Sequence, residues 1–158
     1  MIEKVPMTPA GFASMKEELK RLTSVERPQI TKEIEIARAH GDLSENAEYH
    51  AAREKQGMVE AKIRDIQNKL GRAEVIDVTK MRGDRVVFGS TVTLLDLDTD
   101  DELTYRIVGD DESDINKNLL SIQAPIARGL IGKREGEEVA IKTPGGSREL
   151  EILSVEYI

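Results

Sequence analysis

Two hydrophobic periods divide the chain. In its first part Phe12, Met15, Leu19 and Leu22 recur at spacings of 3, 4 and 3, which is one stripe along a helix. Thr8 followed by Pro9 supplies an N-cap and a proline at the first helical position, where a missing N–H costs nothing. The stripe weakens around Glu26 and Pro28 and resumes with Ile30, Ile34 and Ala37. Pro28 removes an intrahelical donor and collides with the preceding turn, so a kink is expected there, with a complete break as the alternative. From Tyr49 through Ala52, Gln56, Val59, Ile63, Ile66 and Leu70 to Ala73 the spacings alternate between 3 and 4, a heptad seam of the coiled-coil type. The loop between the stripes, His40-Gly41-Asp42-Leu43-Ser44, permits only an antiparallel return. The prediction is a helical hairpin with about 30 residues per arm, reaching on the order of 45 Å at 1.5 Å per residue.

The second part alternates like a sheet. Val86–Phe88, Ser90–Leu95, Thr104–Val108, Glu138–Lys142 and Glu149–Val155 are short β-branched runs, separated by turns such as Asp98-Thr99-Asp100-Asp101 and Pro144-Gly145-Gly146. The run from Pro125 to Gly132 reads as one short helix ending at glycine. The fold class is therefore α+β in two domains: an α-helical coiled-coil hairpin over residues 1–76, and a small antiparallel β-sheet domain with a short helix over 77–158. The junction falls in Glu74–Asp84, where Ala, Glu, Lys and Arg give way to Val, Ile, Thr, Gly and Asp.

Composition narrows the function. The 158 residues are 39% apolar and 34% charged, as in an ordered chain. Phe12, Tyr49, Phe88, Tyr105 and Tyr157 are the only aromatics, which argues against a large aromatic-lined ligand pocket. The absence of cysteine excludes a disulfide framework, a thiolate metal site and a cysteine nucleophile. No stretch approaches the roughly 18 to 20 apolar residues of a membrane span, and Met1–Ala10 lacks the apolar core of a signal peptide, so no membrane partner and a cytoplasmic location are expected. The net charge of −7 argues against independent binding to duplex DNA, which needs a basic face. That charge is uneven: residues 1–79 carry 13 positive and 14 negative groups, and residues 80–158 carry 10 and 16.

Chemistry concentrates at the hairpin loop. Asp42 and Glu45 lie three apart at the start of the second helix and can point the same way. One reading makes Asp42 an N-cap with Glu45 at N3, an acidic capping box that favours the helix N-terminus. The other makes them two exposed carboxylates that form half of a magnesium site, since Mg²⁺ is often held by one or two carboxylates with water and phosphate completing the shell. Such a pair cannot build a catalytic centre alone, but it can complete one in a partner that cleaves phosphodiesters with two metals. His40 and His50 flank the loop and invite a transition-metal reading, which is disfavoured because the ligands straddle a turn without an i, i+4 histidine pair. Arg38, Arg53 and Lys55 are solvated face residues or, beside a metal-binding tip, contacts for a nucleic-acid backbone. Tyr49 falls on the seam, where packing is its default role and base stacking the alternative. The glycine turns do not match a phosphate-binding loop.

The run from His40 to Glu54 closely resembles the tip of the bacterial transcript cleavage factors of the GreA/GreB family. Met7-Thr8-Pro9 with Gly11, Val75-Ile76-Asp77, Thr104–Gly109 and Pro125–Lys133 resemble the same family, so the likeness covers essentially the whole chain. It implies a coiled-coil hairpin followed by an FKBP-like β-sheet domain. It further implies a partner, RNA polymerase, whose secondary channel the hairpin enters while the second domain docks at the rim, with Pro125, Ile126, Ala127, Gly129 and Leu130 in the docking region. At the active centre Asp42 and Glu45 would help hold the second magnesium ion, shared with the polymerase, and orient water. The chain would need no cofactor of its own and would not itself be an enzyme; the polymerase would hydrolyse backtracked nascent RNA. Ser44, Asn46 and Tyr49 would shape the tip, and Arg38, Arg53 and Lys55 would face the RNA 3′ end. The small basic patch is similar to the branch of the family with the narrower basic surface. Ala124 departs from the family's usual serine. A channel-occupying inhibitor that does not promote cleavage is the alternative, against which the complete acidic pair argues; prolyl isomerase activity has too few aromatics to support it.

Overall fold

The computed structural model describes residues 3–42 and 46–158. The chain forms two compact units, one comprising Phe12–Ala73 together with Glu3, the other Lys4–Gly11 together with Glu74–Ile158.

The first unit is helical. α1 spans Pro9–Arg21, α2 spans Arg27–Arg38 and α3 spans Ala47–Gly71. Between α1 and α2 the helix does not break: Leu22–Glu26 form a π-helical turn, and Arg21 and Arg27 on either side keep right-handed helical torsions. The Arg27 N–H reaches back five residues to the Leu22 oxygen. Widening the helix by one residue just before Pro28 relieves the clash between its ring and the preceding turn, which is how a proline is tolerated mid-arm. The seam is built where the 3 and 4 spacings place it. Leu22, Ile63 and Ile66 are buried with Met15, Leu19, Val59 and Leu70 against them, and Ile30, Ile34 and Ala52 are buried with Tyr49 and Val59. Arg27 grips Glu60 through two bonds of 2.7 and 2.9 Å, Lys62 lies 3.4 Å from Glu18 and Lys55 lies 3.7 Å from Glu33. These pairings run in opposite order along the two arms, so the arms are antiparallel.

In the second unit a five-stranded sheet has the order β5-β4-β3-β7-β6, built from β3 (Thr91–Asp96), β4 (Glu102–Val108), β5 (Leu119–Ser121), β6 (Glu138–Thr143) and β7 (Gly146–Glu156). The sheet is not wholly antiparallel, because β5 pairs with β4 in parallel. The chain leaves β4 through 3₁₀ turns at Asp110–Glu112 and Ile115–Lys117 and returns in the same direction at the sheet edge. Val86–Phe88, expected as a strand, has none of that pairing. Val86 is fully buried and its N–H donates to the Lys133 oxygen at 2.7 Å, so its apolar character reflects the core rather than a ladder. The core comprises Val86, Val92, Leu94, Ile107, Leu120, Ile141, Leu150, Ile152 and Val155, closed by Ala127 and Leu130 of the short helix α4, Pro125–Leu130.

A second, two-stranded sheet pairs β1 (Val5–Met7) with β2 (Ala73–Val75). The segment Lys4–Gly11 is seated by Glu112, whose carboxylate accepts the Thr8 N–H at 3.0 Å, the Thr8 hydroxyl and the Gly109 N–H at 3.0 Å. Glycines lie on both sides of this carboxylate. A Cβ at Gly11 would fall inside the Glu112 carboxyl group, and one at Gly109 would lie 2.7 Å from the Pro6 oxygen. No helix among the described residues is long and apolar enough to cross a membrane.

Candidate functional site

At the end of α2 the backbone tightens before it turns: the His40 N–H donates to the Ala37 oxygen at 3.1 Å and the Gly41 N–H to the Arg38 oxygen at 3.3 Å. Gly41 then takes a φ of 107°, a value that residues with a Cβ rarely adopt. Asp42 follows and is exposed. Leu43, Ser44 and Glu45 lie outside the described residues, and with them the positions expected for the Ser44 and Glu45 side chains.

The helix that follows begins later than the acidic pair. Its N-cap is Asn46, in an extended conformation (φ −84°, ψ 96°), and the Asn46 Oδ1 accepts the Tyr49 N–H at 3.0 Å. The capping reading of Asp42 therefore fails: Asn46 is the cap, Tyr49 stands at N3, and the acid of the first turn is Glu48. Asp-Leu-Ser-Glu has the acidic N3 of a capping box and Asn-Ala-Glu-Tyr does not, yet the backbone places the cap at Asn46. Asn46 also donates through Nδ2 to the Ala37 oxygen, at 2.5 Å.

Tyr49 is half-buried against the Ile30, Ile34 and Ala52 cluster and meets the His50 ring edge-on with centroids 5.6 Å apart, so it packs beneath the tip. His40 Nδ1 lies 3.1 Å from a Glu48 carboxylate oxygen, which engages the other histidine within the hairpin. Among the described residues, no group of three or more His, Cys, Asp or Glu is arranged to hold a metal ion. Asp42 offers hard oxygen donors suited to Mg²⁺ but too few to bind it unaided, so an ion there would need other ligands. Of the basic residues near the tip, Arg38 and Arg53 are exposed, and Lys55 faces Glu33 across the hairpin at 3.7 Å.

The residues singled out on α4 separate by burial. Ala127 and Leu130 have no exposed surface and belong to the sheet core, so they are closed to a partner. Pro125 is exposed, and Ile126 and Gly129 are half-buried. Gly129 is pressed onto β6, where a Cβ would come 2.8 Å from Ile141 Cγ1. Ala124, at the N-cap, supplies no side-chain bond to the helix it precedes.

A helical hairpin carrying an exposed acid at its loop, with a small sheet unit, defines the class of protein, and comparison with known families agrees. Residues 5–75 match the family described as transcription elongation factor, N-terminal, and residues 81–157 match transcription elongation factor, GreA/GreB, C-term. The chain belongs to the GreA/GreB family of transcription elongation factors. It is 62% identical over 158 residues to the transcription elongation factor GreA of Vibrio parahaemolyticus, covering 99% of this chain and 100% of that protein. It is 60% identical over 157 residues to GreA of Vibrio vulnificus and 58% identical over 156 residues to GreA of Ruegeria pomeroyi, in each case covering 99% of both chains.

Proposed function

We propose that this chain stimulates RNA polymerase to hydrolyse its own backtracked transcript, entering the secondary channel with the hairpin and leaving the active centre to the polymerase. The observation that carries the reading is the placement of Asp42: it is exposed at the loop, and the helix cap is supplied by Asn46 instead. Asp42 and Glu45 are the residues that would hold a magnesium ion shared with the polymerase. Bound there, the metal would polarise water and offset charge on the scissile phosphate. Tyr49 and Asn46 keep the tip's framework fixed. Arg38 and Arg53, both exposed, contact the phosphates of the displaced RNA 3′ end, with Lys55 shared between Glu33 and that surface. Pro125, Ile126 and Gly129 are the members of the α4 segment with surface to offer the polymerase. The acidic excess of residues 80–158 steers docking, so affinity should fall as salt rises.

The experiment adds the protein to backtracked elongation complexes beside Asp42→Asn and Glu45→Gln. Both variants should bind polymerase as the parent does and stimulate cleavage less by on the order of a hundredfold. Binding without any stimulation by the parent protein would instead identify a channel-occupying inhibitor.

A further inference from the structure

The Asn46 side chain makes two bonds in opposite directions. Oδ1 accepts the Tyr49 N–H at 3.0 Å, the ordinary capping bond, while Nδ2 donates at 2.5 Å to the Ala37 oxygen, nine residues earlier. The amide fits only one way round: exchanging oxygen and nitrogen would set a donor against the Tyr49 N–H and an acceptor against the Ala37 oxygen. The same Ala37 oxygen receives the His40 N–H, so one carbonyl anchors both the turn that leaves α2 and the residue that starts α3. Ala37 and Ala52 are both buried, and these small side chains suit close approach of the two arms at this level. A cap requires only the acceptor. The second bond crosses the hairpin at the base of the loop that carries Asp42.

We propose that Asn46 is a positioning residue, a clasp that fixes the end of α2 against the start of α3 and thereby sets where the tip carboxylates are presented. Aspartate also caps helices, but at this site it would turn a carboxylate toward the Ala37 oxygen instead of a donor. Asn46→Asp therefore removes the clasp and keeps the cap, whereas Asn46→Ala removes both. Placement matters because a displacement of about 1 Å in a reacting centre costs up to about a hundredfold in rate. The effect on cleavage rests on the function proposed above; the clasp itself does not.

Full-length Asn46→Asp, Asn46→Ala and Asp42→Asn are compared in two assays. In the free protein, hydrogen exchange of the His40 amide should accelerate in Asn46→Asp while the Tyr49 amide stays protected; unchanged exchange at His40 would overturn the clasp without reference to any polymerase. In backtracked complexes at saturating factor, Asn46→Asp should remain folded and bind polymerase like the parent, cleave more slowly by on the order of tenfold, and need more Mg²⁺ for half-maximal cleavage. Cleavage at the parental rate while Asp42→Asn is inactive would overturn the positioning role and leave the proposed function standing. A rate lost only in proportion to polymerase binding, with the same Mg²⁺ requirement, would also overturn it. Normal cleavage by Asp42→Asn would instead remove the proposed function, and with it the cleavage role of Asn46.

Discussion

Along the helical arms the apolar contacts form a seam one side chain wide, divided into two clusters around Ile63 and around Ile30, whereas the sheet unit encloses one continuous core between its strands and α4. The arms compensate along their flanks with Arg27–Glu60, Lys62–Glu18 and Lys55–Glu33, pairs that remain largely in water and are screened by it. The sheet unit places its well-buried acid, Asp96, under backbone donors and Arg148. Tip chemistry and deep burial are thus separated in this chain: the part that carries the tip acid is the part with the least interior.

Core truncations probe that contrast most strongly. Leu94→Ala, in the centre of the sheet core, should cost about 3 to 5 kcal/mol and destabilise the whole unit in one transition. Ile63→Ala empties an equally buried site, but solvent and neighbouring side chains can close on a thin seam, so about 2 to 3 kcal/mol is expected. In Ile63→Ala, circular dichroism should show helix melting early while sheet-unit amides stay protected; a single shared transition in both variants would remove the distinction. Glu112→Ala, which removes the one carboxylate oxygen that accepts both the Thr8 and the Gly109 N–H, should cost about 1 to 3 kcal/mol and free the Thr8 and Gly109 amides to exchange. Exchange unchanged at both amides would mean that the segment Lys4–Gly11 is seated by other contacts.

Acid should act more weakly and in the same ranking. The Asp98 N–H, then Arg148, hold the Asp96 carboxyl below its ordinary value of 3.8, and the bonds from Arg27 hold Glu60 below 4.5. A depressed folded-state value means that the stabilisation is full above the unfolded-state value and is lost as pH falls through the folded one. Loss is therefore expected below about pH 4 for Asp96 and slightly higher for Glu60. The Asp96 side chain is 8% exposed against 34% for Glu60, so the sheet unit should lose more stability over that window. Equal loss in Asp96→Asn and Glu60→Gln backgrounds would contradict the ranking.

The helical arms were legible in the sequence because each buries a single face, so spacings of 3 and 4 report the seam directly. Pro28 was legible as a disturbance but not in its remedy, since a π turn is a matter of hydrogen-bond register that no residue type announces. Val86 misled because burial and strand pairing both select valine, and here it is buried beside the isolated Arg85–Arg134 bridge, outside the five-stranded sheet. The parallel strand β5 is three residues long, too short to show a period. The bond from Glu112 to Thr8 joins residues 104 apart, and local pattern holds no trace of it. At the tip, the exposure of Asp42 could be read from its neighbours, but the cap could not, because aspartate and asparagine are equally good caps a few residues apart.

If the tip carboxylates, and not occupancy of the polymerase alone, produce the effect on transcription, removing their charge must separate binding from cleavage. Single-turnover cleavage of backtracked RNA at saturating protein, comparing the parent with the double variant Asp42→Asn, Glu45→Gln, tests this most directly. Equal polymerase binding is expected, with cleavage reduced to the polymerase's unaided rate; cleavage stimulated as strongly as by the parent would contradict the role assigned to the two acids.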